Sequence, residues 1–144
     1  MDHQFIFAPG TWIGEGRILF SSSPETIRFY MRWTVEPIEN HRIIARQLIE
    51  IQGAQENILN TFTFSSISDE KFNILLENDL VGQIKGNGVL DGKTIGWEFR
   101  GHPSFEGFET SRIEENGDYM VHAEYASTSA HRTTIDARIW KKNL

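Results

Sequence analysis

The chain has 144 residues, enough to bury a core without disulfide or metal staples, and one domain spanning residues 1–144 is the expectation. Ten Phe, four Trp and three Tyr exclude a disordered chain, and the absence of cysteine excludes disulfides, thiol catalysis and zinc–thiolate sites. A net charge of −6 argues against nucleic-acid partners, because an acidic surface repels phosphate backbones.

The opening "MDHQFIFAPG" has neither a basic n-region nor an apolar h-region, so no secretory signal is expected. No run approaches eighteen apolar residues, so no membrane span is expected either, and a cytoplasmic location follows as the expectation. "GTWIGEG", from Gly10, then places three glycines beside a tryptophan in a strand-like segment. Glycine inside a strand marks a bulge, a bend or a close backbone approach. Gly14 and Gly16 share a parity with Trp12, Ile18 and Phe20, giving one large plug followed by two gaps.

"TIRFYMRWTVEP" alternates cleanly, with Ile27, Phe29, Met31, Trp33 and Val35 on one face, and Pro37 ends it. "HRIIARQLIEIQG" reads as a strand from its β-branched content, with Gln47 interrupting an apolar parity of Ile43, Ala45, Ile49 and Ile51. "NILNTFTFSSI" puts Ile58, Phe62 and Phe64 on one face. "DEKFNILLEND" fits a short helix capped at Ser68 or Asp69, or another strand. Gly82, Gly86 and Gly88 in "VGQIKGNGVL" suggest a second bend. Hairpins are predicted around Asp91-Gly92 and Asn116-Gly117, and "RTTIDARIW" closes the series.

Nine or ten short strands with no long helix predict an antiparallel sandwich or barrel. The paired glycines favour the barrel: all-β, a single antiparallel up-and-down β-barrel of eight to ten strands, with at most one short helix.

"PGTWIGEG" resembles the G-x-W motif that opens the first strand of calycins, the lipocalin and fatty-acid-binding-protein superfamily, and is nearest the bacterial lipocalin-like and nitrobindin-like branch. The resemblance implies a barrel whose closed end is plugged by Trp12, with Arg138 on the final strand packing across it. Nitrobindin-like proteins bind haem through a histidine on the last strand. The matching position here is Thr134, while His131 lies three residues away on the opposite parity, so no haem or other cofactor is expected.

The interior candidates are Trp12, Phe29, Met31, Trp33, Phe62, Phe64, Trp97 and Phe99, which suit either a ligand cavity or a filled core. On the last two strands, two parities compete. Tyr119, Val121, Ala123 and Tyr125 with Ile135, Ala137 and Ile139 make the better apolar face. The other parity carries His122, Glu124, Thr134, Asp136 and Arg138, which the calycin resemblance turns inward.

The expected function is binding of a small hydrophobic or amphipathic molecule, with a carboxylate or other polar head held by Arg138 and His122. One alternative is an enzyme using His122 with Glu124 or Asp136 for acid–base chemistry. Another is a filled barrel acting through its surface, where Tyr30 and Arg32 suit a homodimer or partner interface. No metal is expected, because His102, His122 and His131 lie on separate elements without ligand spacing. The glycine-rich stretches open no helix, so they are not phosphate loops, and Ser21, Ser22 and Ser23 read as a solvated turn.

Overall fold

A computed structural model describes residues 3–103, 105–126 and 132–142. Ten strands follow one another: β1 (Gly10–Phe20), β2 (Thr26–Val35), β3 (Arg42–Ile51), β4 (Ile58–Ser65) and β5 (Lys71–Asn78), then β6 (Gly82–Leu90), β7 (Thr94–His102), β8 (Phe105–Ile113), β9 (Tyr119–Ala126) and β10 (Arg132–Lys141). Each pairs antiparallel with its chain neighbours, and β1 pairs with β10 to close an up-and-down barrel. No helix among the described residues is long and apolar enough to cross a membrane.

The undecided stretch 69–79 is therefore a strand over most of its length. Phe72, Ile74 and Leu76 alternate inward there, and tertiary pairing with β4 and β6 decides what local propensity left open. β3 holds its parity through Gln47, which is buried at 7% exposure. Both predicted hairpins are present. Asp91 Oδ1 accepts from the backbone N–H groups of Lys93 and Thr94, and Gly117 takes a φ of 90°.

Gly14 and Gly88 stand where a neighbouring side chain approaches the backbone closely. A Cβ on Gly88 would enter the ring of Phe72 on β5, and one on Gly14 would strike Ile139 and Met31. These positions let a large side chain from the next strand lie flat against backbone.

One end of the barrel is shut by the segment before β1. Gln4 O accepts from the N–H groups of Phe7 and Ala8, a turn that drives Phe5 and Ile6 into the core at 1% and 0% exposure. Phe5 packs on Trp12, Trp33 and Tyr119, each with ring centroids 5.3–5.4 Å away. His3 locks the plug. Its Nε2 lies 2.6 Å from the Asp91 carbonyl, which can only accept, so Nε2 carries the proton and Nδ1 accepts from the Tyr119 hydroxyl at 2.6 Å. Trp12 is thus buried at the closed end, and the seal is shared with Phe5 and Tyr119.

Candidate functional site

The opposite end holds a cavity of about 360 Å³. Its floor is Phe5, and its rim is made by strand ends such as Phe20, Ile51 and Ala126, with the β5–β6 turn at Leu80 and Val81. Leu80 is 82% exposed there. The walls come from the inward parity of the strands, so most of the surface a guest would meet is aromatic or aliphatic.

Among the described residues, two hydrogen-bonded polar systems interrupt that lining, besides Thr133. The first is an amide ladder climbing from β2 to the rim. Gln47 Nε2 donates to Met31 Sδ at 3.7 Å, Asn60 Nδ2 to Gln47 Oε1 at 2.9 Å, and Asn78 Nδ2 to Asn60 Oδ1 at 2.9 Å. Asn78 Oδ1 accepts in turn from the N–H groups of Leu80 and Val81, which ties the ladder to the rim. Each amide oxygen is used, so the ladder is a satisfied network that stiffens one wall.

The second system is Glu109 on β8 with Tyr125 on β9. The Tyr125 hydroxyl donates to Glu109 Oε1 at 3.2 Å. Burial pushes the Glu109 carboxyl up from 4.5 to about 7, against the opposing pull of that hydrogen bond. Burial and the neighbouring carboxylate push the Tyr125 phenol well above its usual range. Tyr125 stacks on Phe105 at 4.6 Å, and Phe105 meets Phe99 at 5.6 Å, so the residue bonded to the acid belongs to an aromatic cluster. The Trp97 indole N–H is buried without a partner of good hydrogen-bond geometry, although it lies close enough to Tyr125 to lower that phenol's pKa slightly.

Of the sequence candidates, Phe29, Met31, Trp33, Phe62 and Phe99 line the cavity. Trp12 and Trp97 are buried but lie behind the lining, Trp97 packing on Trp33, Phe62 and Phe64. His122 and Arg138 stand on the outer face of the barrel, 40% and 52% exposed. This corrects the expectation that they hold a ligand's head inside. The apolar parity of β9 and β10 turns inward because Tyr119, Ala123 and Ile139, all fully buried, gain more from leaving water than the polar set could.

On the outside, β9 and β10 do bring His122 together with both expected acids. Its Nδ1 lies 2.7 Å from Asp136 Oδ1 and its Nε2 lies 2.8 Å from Glu124 Oε2. The Asp136 and then the Glu124 hydrogen bonds raise the imidazole's pKa. With both ring nitrogens engaged, on a convex sheet face, this cluster has no reach into the cavity. Arg138 is 3.9 Å from Asp118. Thr134 is also on the outward parity, Tyr30 and Arg32 are exposed, and His131 lies outside the described residues. No group of three or more potential metal ligands converges among the described residues.

Sequence reasoning missed Glu109, Tyr125 as a polar group, the three amides and Phe5. A signal for Glu109 existed. The Asn116-Gly117 hairpin pairs Ile113 with Tyr119 and Glu109 with Ala123, so an inward β9 parity carries the carboxylate inward.

No protein family and no curated protein matches this chain. Among solved structures it is similar to the monomer form of the M. tuberculosis PknI sensor domain, at 9% identity and a TM-score of 0.40, covering 94% of this chain and 87% of that one. A likeness that remote adds nothing to what the barrel's own geometry says.

Proposed function

We propose that the protein binds a small, mainly apolar molecule inside its barrel. The observation that carries this reading is the cavity of about 360 Å³, open at one end and walled by Phe29, Trp33, Phe62 and Phe99. That volume falls at the lower end of the range of ligand pockets, roughly 300–1,000 Å³. Protein interiors close-pack and rarely keep voids larger than a water, so an apolar chamber retained inside ten strands is a departure that ligand uptake accounts for. Affinity would come from removing apolar surface from water, at about 25 cal/mol per Å². The same reading takes the chain as a calycin-type barrel. The ten-strand order and the burial of Trp12 at the shut end support that kinship.

The test is titration with a neutral, environment-sensitive dye such as N-phenyl-1-naphthylamine. The wild type is expected to enhance the dye's emission saturably. Ile49→Trp, which fills the chamber from β3, is expected to weaken uptake at least about tenfold while the barrel stays folded by circular dichroism. No saturable uptake by the wild type, or equal uptake by the filled variant, would refute the reading.

A further inference from the structure

Among the described residues, the cavity's charge is one-sided. The described residues lining it include no Lys, Arg or His, and the ionisable groups are the Glu109 carboxyl and the Tyr125 phenol. Tyr125 occupies Glu109 Oε1, and among the described residues no donor takes Oε2. Tyr125 reaches the acid through its hydroxyl, and its ring stacks on Phe105, which meets Phe99 in the same lining.

Consider three guests of the same size with different heads. A carboxylate would set a second negative charge beside Glu109 in a poorly solvated chamber, which is repulsive. A hydroxyl would gain one ordinary hydrogen bond. An ammonium would pair with the carboxylate through a charge-assisted hydrogen bond, and would meet aromatic faces whose quadrupoles attract cations.

We propose that the cavity selects an amphipathic cation, with an apolar body among the aromatic rings and a protonated amine seated on the Glu109 carboxylate. This deepens the reading that the cavity takes a guest and depends on it. It also reverses the head group expected from Arg138, which stands outside. Binding requires Glu109 to be ionised, so the amine displaces its proton. The side chains that β7 and β9 present toward Glu109 are Trp97, Ala123 and Tyr125. Tyr125 is the titratable one and stays protonated at neutral pH, its phenol pushed well above its usual range. Glu98, His122 and Glu124 belong to the outward parity of the same strands. Among the described residues, the pH response is therefore set by Glu109.

The experiment compares octylamine, octanol and octanoate by calorimetry, with displacement of the neutral dye as a second readout. At pH 8 the amine is expected to bind at least about tenfold more tightly than octanol, and octanoate most weakly. The amine is expected to bind about tenfold more weakly at pH 6 than at pH 8, following a carboxyl that titrates near 7, while octanol changes little. Glu109→Gln is expected to abolish both the amine's advantage over octanol and its pH dependence, with circular dichroism reporting that the variant is folded.

Octanoate binding as tightly as the amine would overturn the inference. So would an amine advantage that survives Glu109→Gln, which would assign it to the acidic outer surface. Octanol matching the amine overturns the inference and leaves the cavity reading standing. Failure of all three probes and of the dye overturns both.

Discussion

Glu109 illustrates how one residue's environment sets its chemistry. In the folded state this carboxyl is half ionised only at about pH 7, whereas an unperturbed one is half ionised at 4.5. Stability contributed by this group is therefore full below the lower value and is lost as pH rises through the upper one. Glu109→Gln has the same shape and no charge. It is expected to leave stability at pH 4 within about 0.5 kcal/mol and to raise it at pH 8 by about 1–3 kcal/mol, because desolvation penalises only the ionised form. Urea denaturation at the two pH values measures this, and an equal effect at both would contradict it. A gain in stability at the expense of amine binding is the trade expected of a group kept for a ligand. His122, with both ring nitrogens bonded on the exposed face, is shifted in the same direction but contributes little, since solvent screens its partners.

At the scale of the strands, packing follows alternation and the glycines follow their neighbours. Phe72 on β5 lies over Gly88 on β6, hemmed in by Phe64 at 5.7 Å and Phe7 at 5.7 Å, so its ring cannot swing away. Gly88→Ala is expected to cost about 1–3 kcal/mol through overpacking. Gly96→Ala on β7 meets only ordinary contacts at 3.7–3.8 Å and is expected to be neutral or slightly stabilising. Thermal midpoints of the two variants separate close approach from a general need for flexible strands. If both lose stability equally, the contact explanation is wrong. Combining Gly88→Ala with Phe72→Leu should recover part of the loss, since the two positions share one volume.

For the whole molecule, the determining events are closure and the plug. β1 pairs with β10, so the cylinder cannot form until both ends of the chain meet. The plug residue Phe5 is both the floor of the cavity and the core of the shut end. Phe5→Ala is expected to cost about 3–5 kcal/mol and to deepen the chamber, so that dodecanol gains on octanol in affinity. A loss under about 1 kcal/mol by urea denaturation, or no change in chain-length preference, would mean that the segment before β1 does not seal the barrel. The all-β class, the hairpins at Asp91-Gly92 and Asn116-Gly117, and the buried faces of β2 and β4 were legible in the chain itself. Period-two alternation and turn chemistry are local properties, carried by residues a few positions apart. The open chamber, the Glu109–Tyr125 pair and the outward turn of His122 and Arg138 were decided only in three dimensions. The space left inside a barrel is the difference between a diameter set by strand number and stagger and the volume of side chains from every strand at once. A carboxyl's pKa depends in the same way on what distant strands bring around it.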